Sequence, residues 1–253
     1  TDSVILGMHA FGDNPELLRA QELGIPIYSY PEFLYEQTKD KTRVVIGGSH
    51  GKTTVTSMVM HVLNYLGYDF DYLVGAQVEG FETMVRLSET SRIAVLQGDE
   101  YLASAIDPRP KFHLYKPQIA LLTGIAWDHI NVFPTFGMYV KQFRDFTSLM
   151  PEWSTLIYYE DDPYLDEIAE DNEGRLKLIP YKEHPAVIRN NETWLITRKG
   201  EIKLSIFGRH NLQNLSGAKI ICSELGITDT QFYEAIPHFK GASRRMEVLA
   251  ETP

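Results

Sequence analysis

Between Val44 and Met58 the chain reads VVIGGSHGKTTVTSM, and its chemistry-bearing residues lie in the middle, Gly47-Gly48-Ser49-His50-Gly51-Lys52-Thr53-Thr54. An apolar run precedes them and an amphipathic run follows, so the glycines fall between a strand and a helix. Glycine lets successive backbone N–H groups crowd one anion, and a helix N-terminus adds partial positive charge. The Lys52 ammonium can reach the terminal phosphates of a nucleotide, and the Thr53 hydroxyl can ligate Mg2+. The stretch is a candidate phosphate loop, but not of the common GxxxxGK[ST] spacing: the position that should hold the first glycine is Ile46.

The elements that must position this loop follow from periodicity. Arg43–Ile46 is predicted as a strand and Thr53–Leu66 as a helix, with Val55, Val59, Val62, Leu63 and Leu66 on one face. Tyr72–Val74, Ile93–Leu96 and Ile119–Leu122 are short and apolar throughout, as strands buried on both faces are. Helices are predicted over Phe136–Leu149 and Tyr164–Glu170, with strands over Thr155–Tyr159 and Leu176–Pro180. That alternation implies an α/β class with a mainly parallel, doubly wound sheet. Ala186–Arg189, Thr193–Thr197 and Ile202–Ile206 are joined by turn residues and read as an added antiparallel meander. Helices over Asn211–Leu225 and Asp229–Phe239 and a strand over Arg245–Leu249 follow. Ahead of all this, Val4–Gly7, Pro15–Leu23, Pro26–Ser29 and Glu32–Thr38 alternate strand and helix in a fragment too small to bury its own faces.

Composition narrows the function. The 253 residues are 43% hydrophobic, enough for a sizeable core. The net charge of −10 argues against nucleic-acid binding, so a phosphate ligand must be held by local dipoles and a few placed cations. The longest apolar runs are strand-length, which predicts no membrane span. A single cysteine, Cys222, fits a reducing, cytoplasmic setting and reads as a buried helix-face residue. The absence of an initiator Met and the opening on a strand-like run suggest an excised piece of a longer chain.

The stretch GSHGKTT resembles the G-T/S-x-G-K-T-T loop of the Mur ligase family, the ATP-dependent amide ligases of peptidoglycan synthesis, and His50 resembles the branch acting on UDP-N-acetylmuramate. The resemblance implies ATP on Gly48, Ser49, His50, Gly51, Lys52, Thr53 and Thr54. Further on, Gln97-Gly98-Asp99-Glu100-Tyr101 resembles the family's E-A/G-D-E, whose first Glu binds Mg2+. Here that position is Gln97, which offers an amide oxygen without charge, and Asp99 or Glu100 can compensate. Glu100 is, with Asp128, a candidate substrate contact, and its alternative reading is a solvated carboxylate at a strand end. Thr123–His129 resembles T-N-I-x-x-D-H, which implies a metal role for His129 and draws attention to Asp128. A histidine just past the C-terminal end of a parallel strand stands where open α/β sheets hold ligands. Gly208–Asn214 matches G-x-H-N-x-x-N, which implies Asn211 and Asn214 near ATP, although Asn211 can also simply cap its helix. Ser243–Glu247 resembles R-R-F/L-E and makes Arg245 the arginine expected near the phosphates. The matches imply residues 1–40 as the end of a UDP-binding N-terminal domain, 41–248 as the central ATP-binding domain and 249–253 as the start of a linker.

The segment from Asp99 to Pro117, DEYLASAIDPRPKFHLYKP, resembles the branch that joins a murein tripeptide to UDP-N-acetylmuramate more than the alanine-adding branch, where it is shorter. Its Arg109, Lys111 and Lys116 can meet a substrate carboxylate or form a solvated loop. The implied reaction is amide synthesis through an acyl phosphate, with Lys52, His129 and Arg245 near the chemistry and ATP and Mg2+ as cofactors. No protein partner is expected. A P-loop kinase or GTPase needs the GxxxxGK spacing and a guanine-reading N-K-x-D, neither of which is found. The His50 loop and the Asp99–Pro117 segment argue against a folate-polyglutamate or cyanophycin type of ligase. A non-catalytic nucleotide-binding fragment is the remaining alternative.

Overall fold

The computed structural model describes residues 2–104, 106–190, 192–206 and 208–241. The chain opens with β1 (Val4–Leu6), α1 (Pro15–Glu22), β2 (Ile27–Ser29) and α2 (Tyr30–Thr38), and β1 pairs with β2 in a parallel two-stranded sheet. Next come β3 (Thr42–Gly47), α3 (Lys52–Tyr65), β4 (Asp71–Leu73), β5 (Val85–Arg86) and β6 (Ile93–Gln97). A hairpin of β7 (Leu102–Ser104) and β8 (Asp107–Pro110) and a 3-10 turn at Lys111–Leu114 lead to β9 (Ile119–Leu122) and α4 (Phe136–Ser148). After β10 (Thr155–Tyr159), α5 (Pro163–Glu170) and β11 (Lys177–Tyr181), an antiparallel meander of β12 (Ala186–Arg189), β13 (Glu192–Thr197) and β14 (Gly200–Leu204) follows. The described chain closes with α6 (Arg209–Glu224), α7 (Asp229–Ala235) and a 3-10 turn at Ile236–His238.

The main sheet runs β11-β10-β9-β3-β6-β4-β5, parallel except for β5, as a doubly wound sheet requires. Its central strand shows why the apolar runs are unbroken. Val44 and Ile46 face the core shared with α3 and α6, while Val45 faces the core of Phe143 and Phe146 from α4. Of the stripe predicted on α3, Val55, Val59, Val62 and Leu63 are fully covered, while Leu66 follows the helix end and is half-buried. Cys222 is buried in α6, and burial pushes its thiol up, away from the reactive thiolate. Among the described residues no helix is long and apolar enough to cross a membrane.

The N-terminal elements are tied to the sheet. Leu34 of α2 enters the core beside Val45 and Phe112. Arg43, 3% exposed, donates to the carbonyls of Thr38 and Lys39 at 2.9 and 2.7 Å and to those of Tyr115 and Lys116 at 2.8 and 2.9 Å. A guanidinium has five donors in a fixed fork, which suits gathering carbonyls from a helix end and a neighbouring loop.

Three expectations differ from the fold. The helix predicted over Asp229–Phe239 ends at Ala235 and continues only as a 3-10 turn, because Pro237 has no N–H to extend the α-helical ladder. The β7–β8 hairpin lies where the sequence suggested no strand: Asp107-Pro108-Arg109-Pro110 has too many prolines for a sheet interior, but a two-stranded ribbon tolerates them. The third strand of the meander is Gly200–Leu204 rather than Ile202–Ile206. The strand predicted over Arg245–Leu249 lies outside the described residues.

Candidate nucleotide-binding site

Register brings the motifs together. Ile46 of β3 pairs with Gln97 of β6, and Gly47 pairs with Leu122 of β9. The loops leaving these three neighbouring strands therefore emerge side by side at the C-terminal edge of the sheet, where such sheets bind ligands. They carry Gly48–Gly51, Gly98–Tyr101 and Thr123–His129.

The phosphate loop is shaped by its glycines. Gly51 takes φ +81° and caps α3 without a side-chain bond, which leaves the first amides of the helix to an incoming anion. A Cβ there would run into the side-chain oxygen of Asn214 at the start of α6. Gly48, at φ +116°, lies so close to Thr123 that a Cβ would strike its backbone nitrogen at 2.8 Å. The Ser49 amide donates to Gly124 O at 2.9 Å, its hydroxyl donates to Ala126 O at 2.7 Å, and Tyr139 of α4 meets that hydroxyl at 3.0 Å. Thr123 donates its hydroxyl to His50 O, and Gln213 donates to Thr123 O at 2.7 Å. Thr53 is buried at the first turn of α3. Thr54 follows it in the same turn and is half-buried.

Lys52 lies across the loop. Its ammonium donates to Gly48 O at 2.6 Å and to both oxygens of Glu100, at 2.8 and 3.1 Å. The same Glu100 carboxylate accepts the Gly48 amide at 3.1 Å. Glu100 is fully buried, so the reading as a solvated strand-end carboxylate is corrected: a residue alternating with Asp99 past β6 points back into the loop. Burial pushes its carboxyl up from the usual range, against the pull of Lys52.

A second cluster lies alongside. Ligand atoms of Asp99, Glu100 and His129 all fall within 4.8 Å of one another, so two carboxylates and an imidazole converge. Burial opposes the Asp99 charge, but the Lys111 ammonium at 2.7 Å and the Tyr101 amide hold its carboxyl below the usual range. His129 adopts φ +53° and packs edge-on against Tyr101, with ring centroids 5.2 Å apart, and its amide donates to Asp128 at 2.7 Å. Gln97 is turned elsewhere: its side-chain oxygen accepts the Gly75 amide at 2.8 Å. Of the basic residues of the long segment, Arg109 and Lys116 are exposed and Lys111 is half-buried, and each has a partner on the protein. Lys111 is paired with Asp99, Arg109 with Asp107 and Glu32 at 2.6 and 3.1 Å, and Lys116 lies over the Tyr35 ring.

A cavity of about 460 Å3 adjoins the loop, lined by His50, Gly51, Thr123, Tyr159, Tyr164 and Asn214 among others. Asn214 is thus placed against both loop and cavity, while Asn211 sits one turn earlier, its amide donating to Gly208 O at 3.0 Å. Arg245 lies outside the described residues. Sequence reasoning passed over Tyr139, Tyr159, Tyr164 and Gln213. Only Gln213 had a local signal, standing between the two asparagines of its motif.

Fold and site define an α/β domain with a doubly wound sheet and a glycine-rich strand–helix loop at its C-terminal edge. The chain belongs to the Mur ligase family: residues 46–222 match the Mur ligase middle domain. It is 32% identical over 99% of its length to a UDP-N-acetylmuramate–L-alanine ligase of Arthrobacter sp., and it spans about half (54%) of that relative. Among solved structures, the UDP-N-acetylmuramate:L-alanyl-γ-D-glutamyl-meso-diaminopimelate ligase of Neisseria meningitides superposes with a TM-score of 0.83 at 25% identity, covering 96% of this chain and 80% of that one. The UDP-N-acetylmuramate-alanine ligase of Thermotoga maritima gives 0.72 at 21% identity, covering 100% of this chain and 58% of that one, a likeness of fold.

Proposed function

We propose that the chain is the nucleotide-binding part of an ATP-dependent, cytoplasmic ligase that joins UDP-N-acetylmuramate to the tripeptide L-alanyl-γ-D-glutamyl-meso-diaminopimelate. The observation that carries this reading is Lys52 laid across a glycine-rich loop that ends in the uncapped start of α3, beside the converging Asp99, Glu100 and His129. The muramoyl carboxylate takes the γ-phosphoryl group of ATP, releasing ADP. The peptide α-amine then attacks the acyl phosphate, a C–N bond forms, and phosphate and a proton leave. Phosphoryl transfer of this kind asks the protein for positioning and charge stabilisation more than covalent work. Lys52 and the loop Gly48–Thr54 hold the phosphates. Asn214 borders the cavity beside the loop, where the base fits, with Asn211 a turn away. Arg245 is proposed as a further phosphate contact on the strength of its motif. The donor set suits a hard cation: Asp99, Glu100, His129 and the Thr53 hydroxyl, with Gln97 as the further strand-end donor, would hold Mg2+, which would neutralise phosphate charge.

The tripeptide is favoured by the long segment from Asp99 to Pro117, on which Arg109 and Lys111 lie. The similarity to the Neisseria ligase supports the same choice. L-alanine stands second, on the names of relatives at 32% and 31% identity. The deciding experiment is phosphate release from ATP by a chain extended to its relatives' length, with UDP-N-acetylmuramate and either tripeptide or L-alanine. Preference for the tripeptide is expected. Preference for alanine would move the protein to the other branch, and guanine selectivity in nucleotide binding would sink the ligase reading.

A further inference from the structure

Glu100 makes a set of contacts that a metal ligand or substrate contact does not need. Its carboxylate is fully buried, accepts the Gly48 amide at 3.1 Å and receives the Lys52 ammonium at 2.8 and 3.1 Å. One loop amide and the one loop ammonium are the donors a phosphate group would use. A carboxylate and a phosphate both present oxygen acceptors and negative charge to such donors. We infer that Glu100 is the resident counter-ion of the phosphate loop, an internal anion with which a nucleotide's phosphates compete for Lys52 and Gly48. The inference rests on the loop binding a nucleoside polyphosphate.

The surroundings show why such a device links binding to a divalent cation. Besides Lys52, the charged groups about Glu100 are Asp99 and the more distant Lys111 that Asp99 already occupies. No second cation among the described residues is paired with Glu100, so drawing Lys52 onto a phosphate strands a buried carboxylate beside another carboxylate and near phosphate oxygens. Like charges in a buried site repel strongly. A divalent cation would remove that penalty, and the converging ligand atoms of Asp99, Glu100 and His129 would hold one. Without the cation, Glu100 keeps its donors and disfavours the bare nucleotide.

The test is equilibrium binding of ADP and of tripolyphosphate, with Mg2+ and with EDTA, to the wild-type chain and to Glu100→Gln. The amide keeps the side chain's shape but not its charge. The expected result is about tenfold tighter binding to the variant in EDTA, and a correspondingly smaller gain on adding Mg2+. Unchanged or weaker binding by a folded variant in EDTA would overturn the inference and leave Glu100 a positioning residue. Failure of the wild-type chain to bind either ligand under any condition would instead overturn the nucleotide-binding reading. If Glu100→Gln does not fold, the wild-type chain still decides: in selectively 13C-labelled protein, the Glu100 carboxylate resonance should move when tripolyphosphate binds in EDTA. A resonance that stays in place while the ligand binds refutes the exchange.

Discussion

At the scale of single residues, Lys52 and Glu100 are each costly to remove alone. Lys52→Met leaves a buried carboxylate without its partner, a change worth about 3–5 kcal/mol of stability. The double variant Lys52→Met/Glu100→Gln should recover much of that loss, and thermal melting of the three proteins checks it. Gln97 raises a separate question. It brings no charge to the strand end, and its oxygen already accepts the Gly75 amide. Gln97→Glu keeps that acceptor and adds charge, so in the length-extended enzyme the Mg2+ concentration for half-maximal phosphate release should fall. The sequence made the loop, His129 and the asparagine pair legible because each is a contiguous motif. It did not reveal the Lys52–Glu100 contact, whose partners stand 48 positions apart and meet only because β3 and β6 are neighbours.

At the scale of elements, two helix starts meet at one atom. Gly51 caps α3 in a left-handed conformation, and its missing Cβ leaves room for Asn214 of α6. Gly51→Ala should therefore weaken nucleotide binding at least about tenfold, both through backbone strain and by moving α6, measured by titration with ATP. The 3-10 turn after β8 carries a different device. His113 is buried there, and its ring meets the Gln142 carbonyl of α4 at 2.8 Å. Burial lowers its pKa from the ordinary 6.5, as it also does for His61 and His184. The folded protein then binds fewer protons than the unfolded one near that value. Stability is full above it and falls as the pH drops through it. Urea midpoints should decline from about pH 7.5 to about pH 5.5, with a shallower decline in His113→Gln. Short buried strands such as β9 and β10 were legible to the residue, because brief runs rich in apolar and aromatic residues are too short for a helix. The β7–β8 ribbon was not, because its pairing is imposed by the turn into Lys111–Leu114 and not by alternation.

At the scale of the whole molecule, two polar contacts of unequal weight join the N-terminal elements to the main sheet, beside the apolar seat of Leu34. Arg43 gathers carbonyls from the end of α2 and the loop before β9 in a buried setting. Arg43→Met should cost at least about 3 kcal/mol and speed hydrogen exchange through α2. Arg109 and Glu32 join the same regions at the surface, where the two side chains are 55% and 38% exposed. Such a pair is worth less than about 1 kcal/mol. Arg109→Ala should thus leave melting nearly unchanged, so any effect on the choice between tripeptide and alanine would report recognition rather than folding. The doubly wound class was legible from alternating elements, whereas the buried polar attachment of α2 rests on an arginine whose hydrogen-bond acceptors are main-chain carbonyls and carry no sequence signature.

The way Gly48 leans on Thr123 while its amide and Lys52 rest on Glu100 has a practical corollary for protein engineering. The stretch from Gly47 to Thr54 looks like a portable cassette, but transplanted alone it would lose its supporting wall and its internal anion. The unit that can be grafted is discontinuous: three adjacent strand ends, their register intact, each bringing one loop.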